Sequence, residues 1–331
     1  MSAVVTVTLN PAIDLTVGLD HLTPGAVHRA NSAIANAGGK GVNVAACLAD
    51  WDANVSATGF LGAGNSHAFE QLFQEKSVRD SFIRLPGETR INVKLTEPDG
   101  RTTDINLPGL PIDADLLPSL NDRIRDLEPS LLVLSGSLPA GLPSSVWADM
   151  AGYWQARGVR VLLDISGEPL RVALIRDALP FAVKPNRDEL AAVMGAIPDD
   201  AALLDQARAL HRKGIGLVVV SLGSQGALFV SEEGALHAAP LKVGVVSSVG
   251  AGDAMVAGLC AGLIENASLE RLARLSTAFA AGKLRKIGPH LPPKEDVEAL
   301  ASAVTIAAAE DWIMYGRLAG SPEEGRIGRM S

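Results

Sequence analysis

The segment Ser248-Val-Gly-Ala-Gly-Asp-Ala-Met-Val-Ala-Gly258 places two glycines and an aspartate before a strongly apolar run, which predicts the start of a helix. Glycines leave the backbone N–H groups of such a helix start uncovered, and the helix dipole adds partial positive charge, so the segment can hold an anion. Asp253 falls in the first turn, where its carboxylate could accept a proton from an attacking hydroxyl. In isolation, an aspartate that merely caps the helix is the commoner explanation.

Outward from this segment, short β-branched runs alternate with longer Ala- and Leu-rich segments. The short runs are apolar throughout, as strands buried on both faces are. The pattern predicts an α/β fold with a central, mostly parallel sheet flanked by helices. The predicted strands span residues 4–9, 55–60, 131–135, 159–163, 181–183 and 217–221, and the predicted helices span 41–51, 65–77, 113–126, 144–157, 187–195, 200–213, 251–265 and 268–283.

Two stretches, 15–34 and 82–107, break this alternation. Ile91-Asn-Val-Lys-Leu-Thr96 alternates apolar with polar residues and precedes a Glu97-Pro-Asp-Gly100 turn, which predicts a hairpin with one polar face. We expect the two stretches to form a small separate β-sheet. The predicted large α/β domain comprises residues 1–14, 35–81 and 108–310. Residues 311–331 combine Gly, Pro and mixed charge without periodicity, which predicts a mobile tail.

Composition excludes several classes of function. The chain has 331 residues, with 29 Lys and Arg against 37 Asp and Glu and no long block of like charge, so nucleic-acid binding is not expected. Its two cysteines, Cys47 and Cys260, lie in separate apolar segments, which fits buried free thiols in the cytoplasm. The longest uncharged apolar run, 254–264, is shorter than the roughly 20 residues of a membrane span. We therefore expect a cytoplasmic protein that binds a small molecule and neither nucleic acid nor membrane.

Two further motifs follow early strands. Asn10-Pro-Ala-Ile-Asp14 places Asp14 at the carboxyl end of the first strand, where ligands gather in open α/β sheets and a carboxylate can take paired sugar hydroxyls. The same residue types also form ordinary turns. Gly38-Gly-Lys-Gly-Val-Asn43 offers close backbone approach, one cation and one amide. It is not a Walker A loop, because Ile34 stands where that motif needs glycine and no Ser or Thr follows Lys40.

Two motifs in the second half of the chain could face a nucleotide. Lys184-Pro-Asn-Arg-Asp-Glu-Leu190 places Asn186 and Glu189 on one face of a helix start. The pair could hold the water shell of Mg²⁺ or form a capping box, and spacing alone does not decide between them. Ser221-Leu-Gly-Ser-Gln-Gly226 joins two apolar strands, and its glycines could admit a nucleotide or only make a turn.

A sugar phosphate would need cations for its charge. The candidates are Arg29, Lys40, Arg90 and Lys94. Arg90, Asn92 and Lys94 share one face of a predicted strand, which could instead be solvated. Arg90 is the preferred candidate because it lies at the strand entrance. The six histidines form no metal-ligand spacing, and no GxSxG elbow occurs.

Five motifs in order resemble those of the PfkB (ribokinase-like) carbohydrate kinases. They are Asn10-Pro-Ala-Ile-Asp14, Gly38-Gly-Lys-Gly-Val-Asn-Val-Ala45, Ser135-Gly-Ser-Leu-Pro139, Lys184-Pro-Asn-Arg-Asp-Glu189 and Val249-Gly-Ala-Gly-Asp253. The resemblance spans residues 4–306. Within the family, residues 89–100 are most similar to bacterial enzymes that act on fructose 1-phosphate.

The resemblance implies a ribokinase-like fold and a role for each matching residue. Asp253 would be the catalytic base, and Gly250, Ala251 and Gly252 would form the anion hole. The sugar-phosphate side would comprise Asp14, Gly38, Gly39, Lys40, Asn43, Arg90 and Ser137. The ATP side would comprise Lys184, Asn186, Ser221, Gly223, Gly226 and Ser248, and the Mg²⁺ side would comprise Glu189, Asn186 and, with a weaker case, Asp164.

The implied reaction transfers the γ-phosphoryl group of ATP to the 6-hydroxyl of fructose 1-phosphate, giving fructose 1,6-bisphosphate and ADP. Fructose 6-phosphate or tagatose 6-phosphate as substrate would suit the same motifs. A non-catalytic sugar-phosphate sensor would have no need of Asp253. The two hairpin stretches match the family's β lid, which implies a homodimer through the lid. A nicotinamide dehydrogenase is rejected, because no Gly-x-Gly-x-x-Gly turn follows the first strand.

Overall fold

The computed structural model describes residues 3–286 and 288–319. Its strands are β1 (Val4–Thr8), β2 (Ala12–Gly18), β3 (Ser32–Gly38), β4 (Val55–Gly62), β5 (Arg79–Asp80), β6 (Ile83–Leu85), β7 (Ile91–Thr96), β8 (Thr102–Ile105), β9 (Leu131–Ser135), β10 (Arg160–Asp164), β11 (Ala182–Val183), β12 (Leu217–Ser221), β13 (Ala227–Ser231), β14 (Gly234–Ala238) and β15 (Ile306–Ala308). Its α-helices are α1 (Lys40–Asp50), α2 (His67–Lys76), α3 (Leu117–Arg125), α4 (Val146–Gln155), α5 (Gly167–Ile175), α6 (Arg187–Met194), α7 (Asp200–Lys213), α8 (Ala251–Ile264), α9 (Leu269–Leu284), α10 (Lys294–Ala303) and α11 (Ala309–Ala319).

The large sheet confirms the predicted α/β fold with a mostly parallel centre. Its strand order is β15-β14-β13-β12-β11-β10-β9-β1-β4-β5. The strands from β12 to β5 pair in parallel, and β13, β14 and β15 extend the sheet antiparallel. One apolar cluster covers each face, because the central strands bury both faces.

Strands β2, β3, β7 and β8 form a separate sheet in the order β3-β2-β7-β8, which we call the lid sheet. Its bounds differ from the predicted 15–34 and 82–107. Strand β2 begins at Ala12 and β3 runs to Gly38, so Asp14 lies within the lid sheet. Strand β6 pairs instead with β4 of the large unit, where its partly buried side chains join the core.

The carboxyl-terminal part of the chain differs from the predicted mobile tail. Residues 309–319 form helix α11, and residues 320–331 lie outside the described part of the chain. The helix packs Trp312 and Ile313 against the core, a pair of apolar contacts too brief to give a clear period in the sequence. Within the described residues, no helix is both long and apolar enough to cross a membrane.

Candidate active site

Several predicted site residues lie at the carboxyl ends of parallel strands. Asp164 ends β10, Lys184 follows β11 directly, and Ser221 ends β12. Carboxyl ends of parallel strands share one edge of the sheet, so residues far apart in sequence meet there. Helix α8 begins beside this edge, after Gly250 in the left-handed conformation with φ 81°.

Asp253 lies in the first turn of α8 and is 8% exposed. Asn43 Nδ2, on the first turn of α1, donates a 2.7 Å hydrogen bond to Asp253 Oδ2. Burial, with the nearby Asp164 carboxylate, raises the pKa of Asp253 to about 6 although Asn43, Lys40 and Lys184 favour ionisation. The carboxylate is therefore ionised near neutral pH yet basic enough to take a proton, as a general base requires.

A buried charge cluster adjoins Asp253. Lys184 Nζ lies 3.1 Å from Asp164 Oδ1, and Lys40 Nζ lies 3.4 Å from Asp164 Oδ2. Neither contact has good hydrogen-bond geometry, so the attraction is mainly electrostatic. Burial alone would raise the pKa of Asp164, but the two ammonium groups hold it below its ordinary value. Asp164 and Asp253 likewise outweigh the burial of Lys40 and raise its pKa. Lys40 thus stays charged beside the base.

Asp14, the predicted sugar-side carboxylate, lies on β2 of the lid sheet. Asn92 Nδ2 donates a 3.1 Å hydrogen bond to Asp14 Oδ1. A Cβ on Gly38 would lie 2.2 Å from Asp14 Oδ2, so any larger residue here would displace the Asp14 carboxylate. Gly39 caps α1 with φ 115°, which glycine adopts without strain. Burial raises the pKa of Asp14, and Asn92 only partly offsets this.

Arg90 and Ser137 lie together beside the loop after β1. The Arg90 guanidinium donates to the backbone carbonyls of Asn10 at 3.1 Å, Pro11 at 3.3 Å and Leu107 at 3.1 Å. Asn10 Nδ2 in turn donates to Ser137 Oγ at 3.0 Å. Arg90 therefore holds the loop that leads into β2. Among the described residues, no carboxylate lies within hydrogen-bond distance of the Arg90 guanidinium.

Asn186 and Glu189 form the capping box that spacing alone left open. Asn186 Oδ1 accepts from Glu189 N at 2.7 Å, and Glu189 Oε2 accepts from Asn186 N at 2.9 Å. Glu189 remains half-buried at the helix start. The cap uses one of its oxygens, so the pair suits a hydrated Mg²⁺ reached through water better than a bare ion. Within the described residues, no cluster of three or more His, Cys, Asp or Glu side chains is arranged to hold a metal ion.

The remaining nucleotide-side positions lie next to one another after β11 and β12. Asn186 and Ser221 make an isolated parallel bridge, and Ser221 N donates to Pro185 O at 3.0 Å. The turn from Gly223 to Gln225 follows, with Gly223 at φ 58° and Gly226 at φ 90°. These contacts bring the segments after β11 and β12 together, as the sequence predicts.

An open cleft of about 640 Å³ lies between the lid sheet and the start of α8. Its lining includes the predicted residues Asp14, Asn43, Ser248 and Gly250. It also includes Asn92 and Lys94 on the polar face of the lid sheet, and Lys94 pairs with Asp104. Two predicted sugar-side residues, Asp14 and Asn43, therefore share one cavity with the anion-binding helix start. The other five are not among its lining residues: Gly38, Gly39, Lys40, Arg90 and Ser137.

Lys283 is a cleft residue that the sequence motifs missed. It comes from the last turn of α9, is 3% exposed, and has Nζ 3.1 Å from Lys286 O. A Cβ on Gly250 would lie 3.3 Å from Lys283 Cε, which places this side chain at the start of α8. Burial lowers the pKa of Lys283, against the attraction of Cys47 and Asp253. No local pattern marks it, because it reaches the site only through the packing of α9 on α8.

Comparison with known proteins agrees with this geometry. The chain is 52% identical over 316 residues to the 1-phosphofructokinase of Xanthomonas campestris pv. campestris, covering 92% of this chain and 98% of that protein. Among solved structures, phosphofructokinase-2 from Escherichia coli in complex with fructose-6-phosphate superposes with a TM-score of 0.82 and 29% identity, covering 91% of this chain and 99% of the other. Ribokinase from Thermotoga maritima, at 22% identity, covers 91% of this chain and 100% of its own with a TM-score of 0.75, which shows the shared ribokinase-like fold. The model of the pfkB family carbohydrate kinases matches residues 4–296, and the chain belongs to that family.

Proposed function

We propose that this chain transfers the γ-phosphoryl group of ATP to the 6-hydroxyl of fructose 1-phosphate, giving fructose 1,6-bisphosphate and ADP. The observation that carries the proposal is the buried Asp253, with a pKa raised to about 6, in the first turn of a helix whose glycine start lines the cleft. Its hydrogen-bond partner Asn43 also lines the cleft. The choice of sugar is supported by the 52% identity to a protein named 1-phosphofructokinase.

Asp253 is the proposed base. The 6-hydroxyl oxygen attacks the γ-phosphorus, the bond from that phosphorus to the β,γ-bridging oxygen breaks, and ADP leaves with the electron pair. The hydroxyl proton passes to the Asp253 carboxylate. The first turn of α8 leaves the N–H groups of Gly252 and Asp253 without intrahelical acceptors, so they can bind the transferring phosphoryl oxygens. Ala251 contributes less, because its N–H already makes a long 3.4 Å contact with Ser248 O.

We assign the two sides of the site to different substrates. Asp14, Asn43 and Asn92 offer the hydrogen-bonding groups that sugar hydroxyls need. Lys184, Ser221 and the turn from Gly223 to Gly226 form the proposed ATP side. Glu189 and Asn186 would hold a hydrated Mg²⁺, which supplies charge neutralisation between the phosphates. Lys40 and Lys184 are held beside Asp253 by Asp164, so we assign Asp164 to positioning these cations in preference to ligating the metal.

The proposed substrate and its main alternatives differ in which carbon of the sugar already carries a phosphate. A solved relative is described in complex with fructose-6-phosphate, so fructose 6-phosphate and tagatose 6-phosphate are the competing substrates. ADP release should be measured with Mg-ATP and each of the three sugars. We expect fructose 1-phosphate to give a kcat/KM at least about tenfold above the others, or about 1.4 kcal/mol of barrier. A tenfold preference for another sugar would overturn the assignment.

The lid sheet also supports a homodimer. Leu15, Val17, Leu95 and Ile105 alternate with the polar cleft residues and so lie on the opposite face of the sheet. Ile105 is 47% exposed, and the other three are half-buried. A second lid sheet packed on this face would bury it. Size measurement in solution tests this, and a monomer at micromolar concentration would contradict it.

We also infer a cytoplasmic location. Both cysteines, Cys47 and Cys260, are free and buried, as expected in a reducing compartment. Fractionation of the native host would test this, and recovery of the enzyme outside the cytoplasmic fraction would contradict it.

A further inference from the structure

Helix α11 makes an aromatic contact that no step of the proposed reaction uses. The Trp312 ring stacks on the His237 ring of β14 with centroids 4.2 Å apart and planes 2° apart. Glu310 of the same helix pairs with Arg208 of α7. The helix follows the residues 4–296 matched by the family model. One of these contacts attaches it to the antiparallel part of the sheet and the other attaches it to α7.

His237 connects this helix to the turn after β12. Its Nε2 lies 2.7 Å from Gln225 O. A carbonyl oxygen can only accept, so Nε2 carries the proton and donates it. Burial lowers the pKa of His237, which keeps the ring neutral near neutral pH and leaves this N–H as its single donor.

The turn that receives this hydrogen bond is the one assigned to ATP. Leu222 N donates to Gly226 O at 2.8 Å and closes the turn. A Cβ on Gly226 would lie 2.0 Å from Ala238 O, so the turn is seated directly on the end of β14. The position of the turn therefore depends on β14 and on the orientation of the His237 ring.

We propose that Trp312 and His237 are positioning residues for the nucleotide. Stacking on Trp312 fixes the orientation of the His237 ring. The His237 N–H then holds the Gly223–Gly226 turn in the position needed to contact ATP. The proposal rests on the proposed function, since it takes this turn as the nucleotide side. Neither residue acts on the sugar, so loss of the stack should raise KM for ATP more than KM for the sugar phosphate.

Steady-state kinetics of Trp312→Ala test this difference between the two KM values. Loss of one aromatic pair should raise KM for Mg-ATP by about twofold to tenfold. We expect KM for fructose 1-phosphate and kcat to change by less than about twofold. Trp312→Phe keeps a stacking ring and should restore KM for ATP. Met314→Ala, at a 50% exposed position on the same helix, is the matched control and should behave as the wild type.

One further variant and one exchange measurement keep the proposal open to refutation. His237→Phe retains the stack but has no donor, and it should reproduce the rise in KM for ATP even if Trp312→Ala does not fold. Amide hydrogen exchange of residues 222–227, measured without substrates, should be faster in Trp312→Ala than in Met314→Ala. Equal exchange rates, an equal rise in both KM values, or a lowered Tm with KM for ATP unchanged would overturn the proposal.

The exchange measurement also separates this proposal from the proposed function. If the wild-type enzyme released no ADP with any of the three sugars, the assigned reaction would be wrong. Faster exchange of the turn in Trp312→Ala would still show that α11 controls it. Wild-type kinase activity together with unchanged exchange would leave the reaction intact and refute only the role of α11.

Discussion

Replacement of Asp253 by asparagine should lower kcat and raise the free energy of unfolding. The amide oxygen that Asp253→Asn introduces could still accept the hydrogen bond that Asn43 Nδ2 donates at 2.7 Å, so the fold should be retained. A positioned general base contributes about 10²-fold to 10⁴-fold to the rate, and we expect kcat to fall by that factor. KM for both substrates should change by less than about threefold, because the walls of the cleft are unaltered.

The same substitution should stabilise the protein. Burial raises the pKa of Asp253 from 3.8 to about 6, so the folded state binds the proton more tightly than the unfolded chain. Stability therefore falls as pH rises from about 4 to about 6, and the ionised carboxylate costs about 3 kcal/mol at pH 7. Asp253→Asn removes this cost. Its free energy of unfolding should exceed that of the wild type by up to about 3 kcal/mol at pH 7 and by less than about 1 kcal/mol at pH 4.

Initial-rate assays and urea unfolding measure the two effects. In the wild type, kcat/KM should fall about tenfold per unit below pH 6, because only the ionised carboxylate accepts the proton. Asp253→Asn should lose this pH dependence. Asp205→Asn, at an exposed position on α7, is the matched control and should change neither quantity. An unchanged kcat in Asp253→Asn, or lower stability at pH 7 with normal activity, would refute the assignment of the base.

Lys283 lines the cleft beside Gly250, where its ammonium group would stabilise charge on the transferring phosphoryl group. Lys283→Met should therefore lower kcat by about 10²-fold. Lys286→Met, three residues along at an exposed position, keeps its carbonyl and should stay within about twofold of the wild type in the same assay. Gly38→Ala should raise KM for the sugar by about tenfold to a hundredfold, because its Cβ would lie 2.2 Å from Asp14 Oδ2 and displace that carboxylate. Gly244→Ala, where a Cβ meets nothing within 4 Å, is the control for this measurement of KM.

Two results would contradict these assignments. Equal kcat values for Lys283→Met and Lys286→Met would remove Lys283 from the catalytic site. If Gly38→Ala altered KM for ATP but not KM for the sugar, Asp14 would not belong to the sugar side.

The start of α8 could be predicted from sequence because its signal is local. Gly250, Gly252 and Asp253 are contiguous with Ala251, and an apolar run follows them at once. The parallel sheet was predictable for a similar reason, since strands buried on both faces are continuously apolar. The sequence also predicted strands that end near Asp164, Lys184 and Ser221, and these residues lie at one edge of the sheet.

The unpredicted parts depend on contacts between distant segments. Lys283 joins the cleft from the end of α9, and Asp164 meets Lys40 only when folding brings the end of β10 to the start of α1. The boundary of the lid sheet at Asp14 is set by pairing with Asn36 and Asn92, which no local pattern specifies. For the Asn186 and Glu189 pair, the sequence allowed two outcomes and the structure shows the cap.

Identification of the product tests the central claim most directly. The enzyme should be incubated with Mg-ATP and fructose 1-phosphate, and the phosphorus and carbon NMR spectra of the product recorded. We predict ADP in equal amount to a sugar that carries phosphate on both C1 and C6. Absence of ADP, or a second phosphate on any carbon other than C6, would contradict the proposed reaction.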